Sequence, residues 1–308
     1  MNKLRIAVGI LTLIYGFFIF SFEPSYFNDD SLFLARGIDY FSVIDFSPHF
    51  PGYATVVFLG KIINFFIEDS KLSLFILSAT SAILLPAIIF LYVEKVYNQR
   101  VAFTTFILSL SSPYLMNLSL SMLTDSIGLF FLFLGLYFLE LKKLKTTGVI
   151  LSIAFFARPS YLVFFLIGVI YLYFFKKESL KEVLVSFLLT SLFFLLFILI
   201  NNGELFLYEA KRFIVGHFSL WGRGQNTLIT WSDNIFNIAN IVFCFLIFSI
   251  IKLDKKLLLI YALFITYLLW ILLAQNPDSL RHLIPLVFLG LIIISKQIHK
   301  IKFVVFPF

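Results

Sequence analysis

Long apolar runs alternate with short polar breaks along this chain, and the runs come in two lengths. Stretches 6–22, 73–93, 101–118, 125–141, 183–201, 235–251, 257–274 and 283–295 are long enough, or nearly so, to cross a bilayer as helices, which takes about 20 residues each. Segments 148–156 and 160–175 are shorter and meet at Arg158-Pro159, and segment 53–67 is apolar but short. The pattern predicts an all-α polytopic membrane protein in which residues 1–308 form one integral domain, with no separate soluble domain. The first run follows Met1-Asn2-Lys3-Leu4-Arg5, as in a signal peptide. Ser21-Phe22-Glu23-Pro24 offers no small-x-small cleavage site, so an uncleaved anchor helix with its N-terminus inside is expected.

Composition agrees. Hydrophobic residues make up 61% and charged residues 13%, against about half and a quarter in soluble domains. A soluble globular protein, a disordered chain and a disulfide scaffold are excluded. The single cysteine, Cys244, lies in an apolar run and has no partner for a disulfide or a metal motif. The net charge of +7 is not a nucleic-acid signal here, because excess Lys and Arg in such a chain mark cytoplasmic loops.

Charge also sets the threading. Lys142-Lys143-Lys145, Lys176-Lys177-Lys181, Lys252-Lys255-Lys256 and Lys296-Lys300-Lys302 all fall on the cytoplasmic side under two conditions. Segment 53–67 must lie on the outer side as an interfacial or re-entrant helix. Segments 148–156 and 160–175 must go out and back as two short helices, with the break buried in protein or lining a polar cavity. About ten spans result, with both termini cytoplasmic and two sizeable outer loops, 23–72 and 202–234. Of the 24 Lys and Arg, 16 lie inside, whereas only 5 of the 17 Asp and Glu do. Polar chemistry is therefore expected on the outer face, with the acids, three histidines and several arginines.

Each candidate group has a plain structural role as well as a chemical one. Asp29 and Asp30 precede a short interfacial helix expected over 31–41, where acids suit the helix dipole; a carboxylate against an apolar wall is also a proton acceptor. In Ser47-Pro48-His49-Phe50-Pro51-Gly52-Tyr53 two prolines fix an extended turn, which carries His49 to the same surface. Asp125 opens the fourth span, as an N-cap or as an ionisable group at the membrane boundary. Arg158, between two short helices, either snorkels or binds phosphate through its forked donors. The second outer loop carries His217 and Arg223 among other charges, and the last outer turn carries Arg281 and His282. Together they suit group transfer from a lipid phosphate to a hydroxyl: the acids activate the hydroxyl and the arginines meet the charge growing on the departing phosphate.

The order of these pieces resembles the GT-C superfamily of polyprenyl-phosphate-sugar-dependent glycosyltransferases, nearest the protein O-mannosyltransferase-like and aminoarabinose-transferase-like branches. Asp29-Asp30 matches the acidic pair after the first span. The run 47–53 matches the His-Pro-Pro-like turn, with Phe50 where many members have proline. Lys71 stands at the start of the second span where arginine is common. Pro113 and Asp125 match the interrupted third span and the second acid; Gly148, Arg158-Pro159 and Arg281-His282-Leu283-Ile284-Pro285 match the later signatures. The chain is shorter than most members and the second acid is Asp rather than Glu.

The resemblance implies a GT-C-like bundle with interfacial helices in the first outer loop, in the plasma membrane with its site facing outward. It implies inverting transfer of a hexosyl or pentosyl group from a polyprenyl-phosphate monosaccharide to a lipid, glycan or protein hydroxyl, as in cell-envelope glycan synthesis. Asp29 is then the base, with Asp30 supporting it or exchanging roles, and Asp125 holds the acceptor or a cation. Arg158 and Arg281 contact donor phosphate, and His49, Lys71, His217, Arg223 and His282 line the substrate site. Some members use a divalent cation; His49 with Asp29 or Asp30 is the ligand set at hand, but the spacing is no metal signature and no cofactor is assigned. Membrane lipids are partners and nucleic acid is not. Two other classes stay open at this level: a transporter or lipid flippase, and a non-catalytic membrane subunit that keeps the fold. Transporters tend to place charge near the midplane and to show related halves; here charge collects at one face and no halves are visible.

Overall fold

Within hydrocarbon a chain segment must satisfy its own backbone hydrogen bonds, and the helix does so. The computed structural model describes residues 3–176, 180–221, 254–276 and 279–299. Among these the secondary structure is helical apart from one isolated bridge between Ser42 and Ser47. In chain order the helices are α1 (Lys3–Phe20), α2 (Asp29–Asp39), α3 (Ala54–Ile67), α4 (Ser70–Val96), α5 (Gln99–Leu110), α6 (Pro113–Leu120), α7 (Thr124–Glu140) and α8 (Leu144–Ala157). They continue as α9 (Leu162–Tyr171), α10 (Leu180–Asn202), α11 (Leu205–Trp221), α12 (Leu258–Ala274) and α13 (Ile284–Ile298).

Among the described residues five segments are long and apolar enough to cross a membrane: α1, α4, α10, Lys255–Ala274 and Arg281–Ile298. The α5–α6 pair, bent by 61°, raises this to six. That is fewer than the ten or so expected from the apolar runs, and the reason is local. Pro113 at the start of α6 interrupts the run 101–118, since proline has no N–H to continue the helical ladder. The run 148–156 lies in α8, a helix of only 14 residues. The expected span at 235–251 lies outside the described residues.

Helix α4, at 27 residues, is about 40 Å long and forms the centre. It packs against α1, α3, α5, α6 and α7, and two thirds of its most apolar stretch is buried. The main core joins Ala82, Ile89 and Phe90 of α4 to Phe106 of α5, Phe133 of α7, Tyr267 of α12 and Phe288 of α13. Helices α1 and α10 are peripheral, with most of their apolar surface outward; Phe17 is 80% exposed and Ile200 82%. In a soluble protein such faces would drive aggregation; on a membrane-spanning helix they face lipid.

Charge separates to the two ends of this bundle. At one end Arg5 of α1 donates from Nε and Nη2 to the Glu94 carboxylate of α4, at 3.2 and 3.0 Å. Beside it the ammonium groups of Lys296 and Lys256 lie 4.4 and 5.8 Å from the Tyr97 ring centre, and Thr104 bonds His299 at 2.8 Å. The opposite end carries α2, α3 and the acids.

The first loop is built across that opposite end. Asn28 caps α2: its Oδ1 accepts from Ser31 N at 3.2 Å and its own N–H donates to Ser31 Oγ at 3.3 Å. The helix therefore begins at Asp29, two residues before the expected start. Lys61, midway along α3, donates to the Ile38 carbonyl at 2.6 Å. Near the far end of α3, Asn64 accepts from Ser73 Oγ of α4 at 3.2 Å. The middle and far end of α3 are thus tied to α2 and to the start of α4, while its near end bonds α8 through Thr55 and the Ile153 carbonyl at 2.9 Å. The 47–53 segment is a compact turn with cis bonds before Pro48 and Pro51, where an extended turn was expected.

The α8–α10 contact depends on one missing side chain. A Cβ at Gly148 would collide with Ser186 Oγ and the Val183 carbonyl of α10. Gly148→Val is expected to destabilise the protein by about 1–3 kcal/mol through overpacking, read as a lower thermal unfolding midpoint in detergent. Gly168→Ala, where a Cβ meets nothing within 4 Å, leaves the midpoint unchanged or raises it slightly.

Candidate functional site

Helix α8 stops at Ala157 because Pro159 follows, and the residue before a proline is driven out of helical geometry. Arg158 is accordingly extended, with φ −148° and ψ 101°. Its guanidinium turns toward the first turn of α7, where Nη1 lies 2.9 Å from Asp125 Oδ2 and 3.3 Å from Thr124 Oγ1. Both members of the pair are buried, with side chains 8% and 2% exposed. Leu123, not Asp125, is the α7 N-cap and makes no side-chain cap bond; Asp125 sits inside the first turn, and its role here is to pair with Arg158. Gly128 permits the approach, since a Cβ there would come within 2.9 Å of the Tyr161 ring and 3.1 Å of Arg158 Cβ.

The last turn before α13 joins this pair to a second one. Arg158 Nη2 lies 3.1 Å from His282 Nδ1. A guanidinium only donates, so Nδ1 accepts and the His282 proton resides on Nε2. The neighbouring Arg281 places Nη1 2.8 Å from Asp30 Oδ2, and this pair is more open, 27% exposed on each side. Asp30 Oδ1 faces His49 Nδ1 at 3.8 Å, and His49 Nε2 meets the Tyr53 hydroxyl at 3.3 Å. Buried Asp125 Oδ1, Arg158 Nε and Arg281 Nε have no hydrogen-bond partner among the described residues.

Burial holds His49 below its ordinary range; Asp30 opposes this and Arg281 adds to it. Burial also pushes the Tyr53 hydroxyl up to about 12, against the pull of Arg158. The cluster therefore rests as two ion pairs flanked by a neutral imidazole and a neutral phenol. Tyr53 is held in a left-handed conformation, φ 43° and ψ 51°, and Met122, just before α7, has φ 55°. Such non-glycine residues cost of order 1–3 kcal/mol each and concentrate at functional sites.

The structure thus brings together Asp30, His49, Asp125, Arg158, Arg281 and His282. It places the other candidates differently. Asp29 is exposed at the start of α2 and makes no ion pair among the described residues. Lys71 holds its ammonium 5.2 Å from the Tyr26 ring centre. Arg223 lies outside the described residues. His217 contributes Nε2 to a 2.7 Å bond with the Ala274 carbonyl. Tyr53 and Thr124 were not singled out from the sequence; both stand inside segments that were, but only the fold turns their hydroxyls inward. Among the described residues no three His, Cys, Asp or Glu side chains converge to hold a metal ion.

A groove of about 470 Å³ lies beside His217, lined by Val163, Phe218, Thr266, Leu269, Trp270 and Ala274. Its surface is almost wholly apolar. A column of rings connects it to the cluster: His217 stacks on Phe213 with centres 6.0 Å apart, and Phe213 on His49 at 6.1 Å. No family model, curated protein or solved structure matches the chain.

Two outcomes follow for stability. Asp125→Asn leaves Arg158 buried without its counter-charge and is expected to cost about 3–5 kcal/mol, measured as a drop in the thermal midpoint; Asp125→Leu with Arg158→Met together recovers most of it. Because His49 is held neutral in the fold, the unfolded chain binds its proton first as pH falls. Stability should therefore decline below about pH 6.5 and keep declining until the folded-state imidazole also protonates. His49→Gln flattens that part of the stability–pH curve.

Proposed function

We propose that the protein is an inverting glycosyltransferase of GT-C type that moves a sugar from a polyprenyl-phosphate monosaccharide to a hydroxyl acceptor. The observation that carries this reading is the convergence of two carboxylates and two guanidinium groups at one end of an apolar bundle, beside an apolar groove. A lipid phosphate presents its anionic centre at such a place while its chain remains in hydrocarbon. The groove between α9, α11 and α12 would take the first units of that chain, and a pocket of this size suits a small ligand.

In the reaction the acceptor oxygen attacks the anomeric carbon and its proton passes to a carboxylate. The bond from that carbon to the phosphate oxygen breaks with inversion, and the electron pair leaves on the polyprenyl phosphate. Arg281, with Arg158 behind it, meets the developing negative charge with charge-assisted hydrogen bonds. Asp30 is the better placed base. It faces Arg281 and His49, whereas Asp29, one residue earlier on α2, points to solvent. Asp125 then has the task of fixing Arg158.

The charge layers support an orientation with the Arg5–Glu94, Tyr97–Lys296 end in the cytoplasm and the cluster outward. Counting α7, α8 and the helix 159–175 as short crossings that connect the basic end with the cluster, the described segments supply nine passes, and the crossing expected from the sequence at 235–251, outside the described residues, completes ten. Both termini are then cytoplasmic.

Membranes containing the protein should transfer label from one member of a panel of polyprenyl-phosphate sugars to an acceptor. Asp30→Asn should lower kcat by about 10²–10⁴-fold, while Asp29→Asn keeps most of the rate. Full activity in Asp30→Asn overturns the base assignment, and absence of transfer from every donor overturns the enzyme reading.

A further inference from the structure

The guanidinium best placed for an incoming phosphate is already engaged. Arg281 Nη1 holds Asp30 Oδ2 at 2.8 Å, yet its Nε has no hydrogen-bond partner among the described residues, so the donor fork is only partly used there. The pair is 27% exposed on each side, against 8% and 2% for Arg158–Asp125. One pair is sealed and the other can be reached. If Asp30 leaves Arg281 it is not stranded, because its second oxygen already faces His49 Nδ1 at 3.8 Å and that ring is steadied by Tyr53 at 3.3 Å. The guanidinium likewise gains two phosphate oxygens for one carboxylate oxygen, an exchange favoured by charge and by fork geometry.

We propose that a phosphate-bearing head group seated on Arg281 displaces Asp30 onto His49, so that the carboxylate leaves the guanidinium, and the Asp30–His49 pair becomes the proton acceptor, only after the phosphorylated ligand is bound. The idea rests on the transferase reading above and adds an order to it: donor first, hydroxyl acceptor second. In the resting state each carboxylate is neutralised by an arginine. Donor binding breaks one of these pairs and leaves the other, Asp125–Arg158, as the fixed support.

His49 reports the exchange directly. The titratable or charged groups facing it are Asp30 from α2, Tyr53 from the head of α3 and Arg281 from the turn before α13; α11 contributes only the Phe213 ring. A phosphate on Arg281 cancels the nearby cation and turns the Asp30 carboxylate wholly toward the imidazole. Both changes favour the imidazolium.

The experiment is a pH titration of the ¹⁵N-histidine-labelled protein in lipid nanodiscs, with the His49 resonance identified by its loss in His49→Gln. It is run alone, with farnesyl phosphate, with inorganic phosphate and with farnesol, while the ³¹P signal of each phosphate reports binding. Farnesyl phosphate should raise the His49 midpoint by about one unit or more, farnesol should leave it unchanged, and the rise should shrink sharply in Asp30→Asn. The other histidine resonances show that this variant keeps its fold. An equal rise with inorganic phosphate at the same concentration supports the exchange and assigns it to a soluble phosphate. Binding of farnesyl phosphate with an unmoved His49, or with the same rise in Asp30→Asn, overturns the exchange and leaves the transferase reading standing. Failure of farnesyl phosphate to bind overturns the exchange, and the transferase reading then stands or falls on the transfer assay.

Discussion

A charged pair with almost no access to water organises the polar end of this protein. Asp125 and Arg158 are each expensive to bury and tolerable only together. Their contact fixes the start of α7 against the end of α8. It requires α8 to stop where Pro159 stops it, and Gly128 to leave room for Arg158 and Tyr161. The remaining donors of Arg158 then engage His282, which carries Arg281 with it along the same turn. Arg281 in turn reaches Asp30 on α2. Elements far apart in the chain thus meet because one buried guanidinium has several donors to satisfy.

The two ion pairs resemble each other in chemistry and differ in surroundings. The inner one is sealed by packing, and removing either member leaves an orphan charge. The outer one shares the solvent, and its interaction is correspondingly weaker. Such a contrast suits a site in which one arginine is scaffold and the other is contact. The ring column from His49 through Phe213 to His217 extends the outer pair's environment toward the apolar groove. Polar and apolar parts of a lipid ligand would meet along it.

Much of this end was legible in the sequence, for identifiable reasons. Arg158-Pro159 announces a helix break with a cation in it, and an apolar run that stops there leaves the cation few places to go. The basic clusters lead to the expectation that 53–67 stays off the crossing path; the structure shows a 14-residue helix there, with Lys61 bonded to the Ile38 carbonyl of α2. Other features depend on what pattern does not carry. Successive residues on a helix point about 100° apart, so which of Asp29 and Asp30 turns inward follows from Asn28 being the cap. Lys71, expected from the resemblance to line the substrate site, has its ammonium over the Tyr26 ring. Apolar composition does not reveal how sharply a helix bends at a proline, and among the described residues the full-length helices are fewer than the apolar runs.

The brevity of α8 has a consequence for the bilayer around it. Fourteen residues of helix rise about 21 Å, whereas the hydrocarbon layer is about 30 Å thick. On the proposed topology, with α8 crossing the bilayer, Arg158 would sit below the level at which head groups normally float, at the foot of a depression in the outer leaflet. Lipids bordering that depression must tilt or thin to meet it, at a cost that grows with mismatch. On that topology the protein would be matched to a particular thickness of membrane, and chain length and saturation in the surrounding lipid would tune how easily the proposed tethered head group sinks to the arginines.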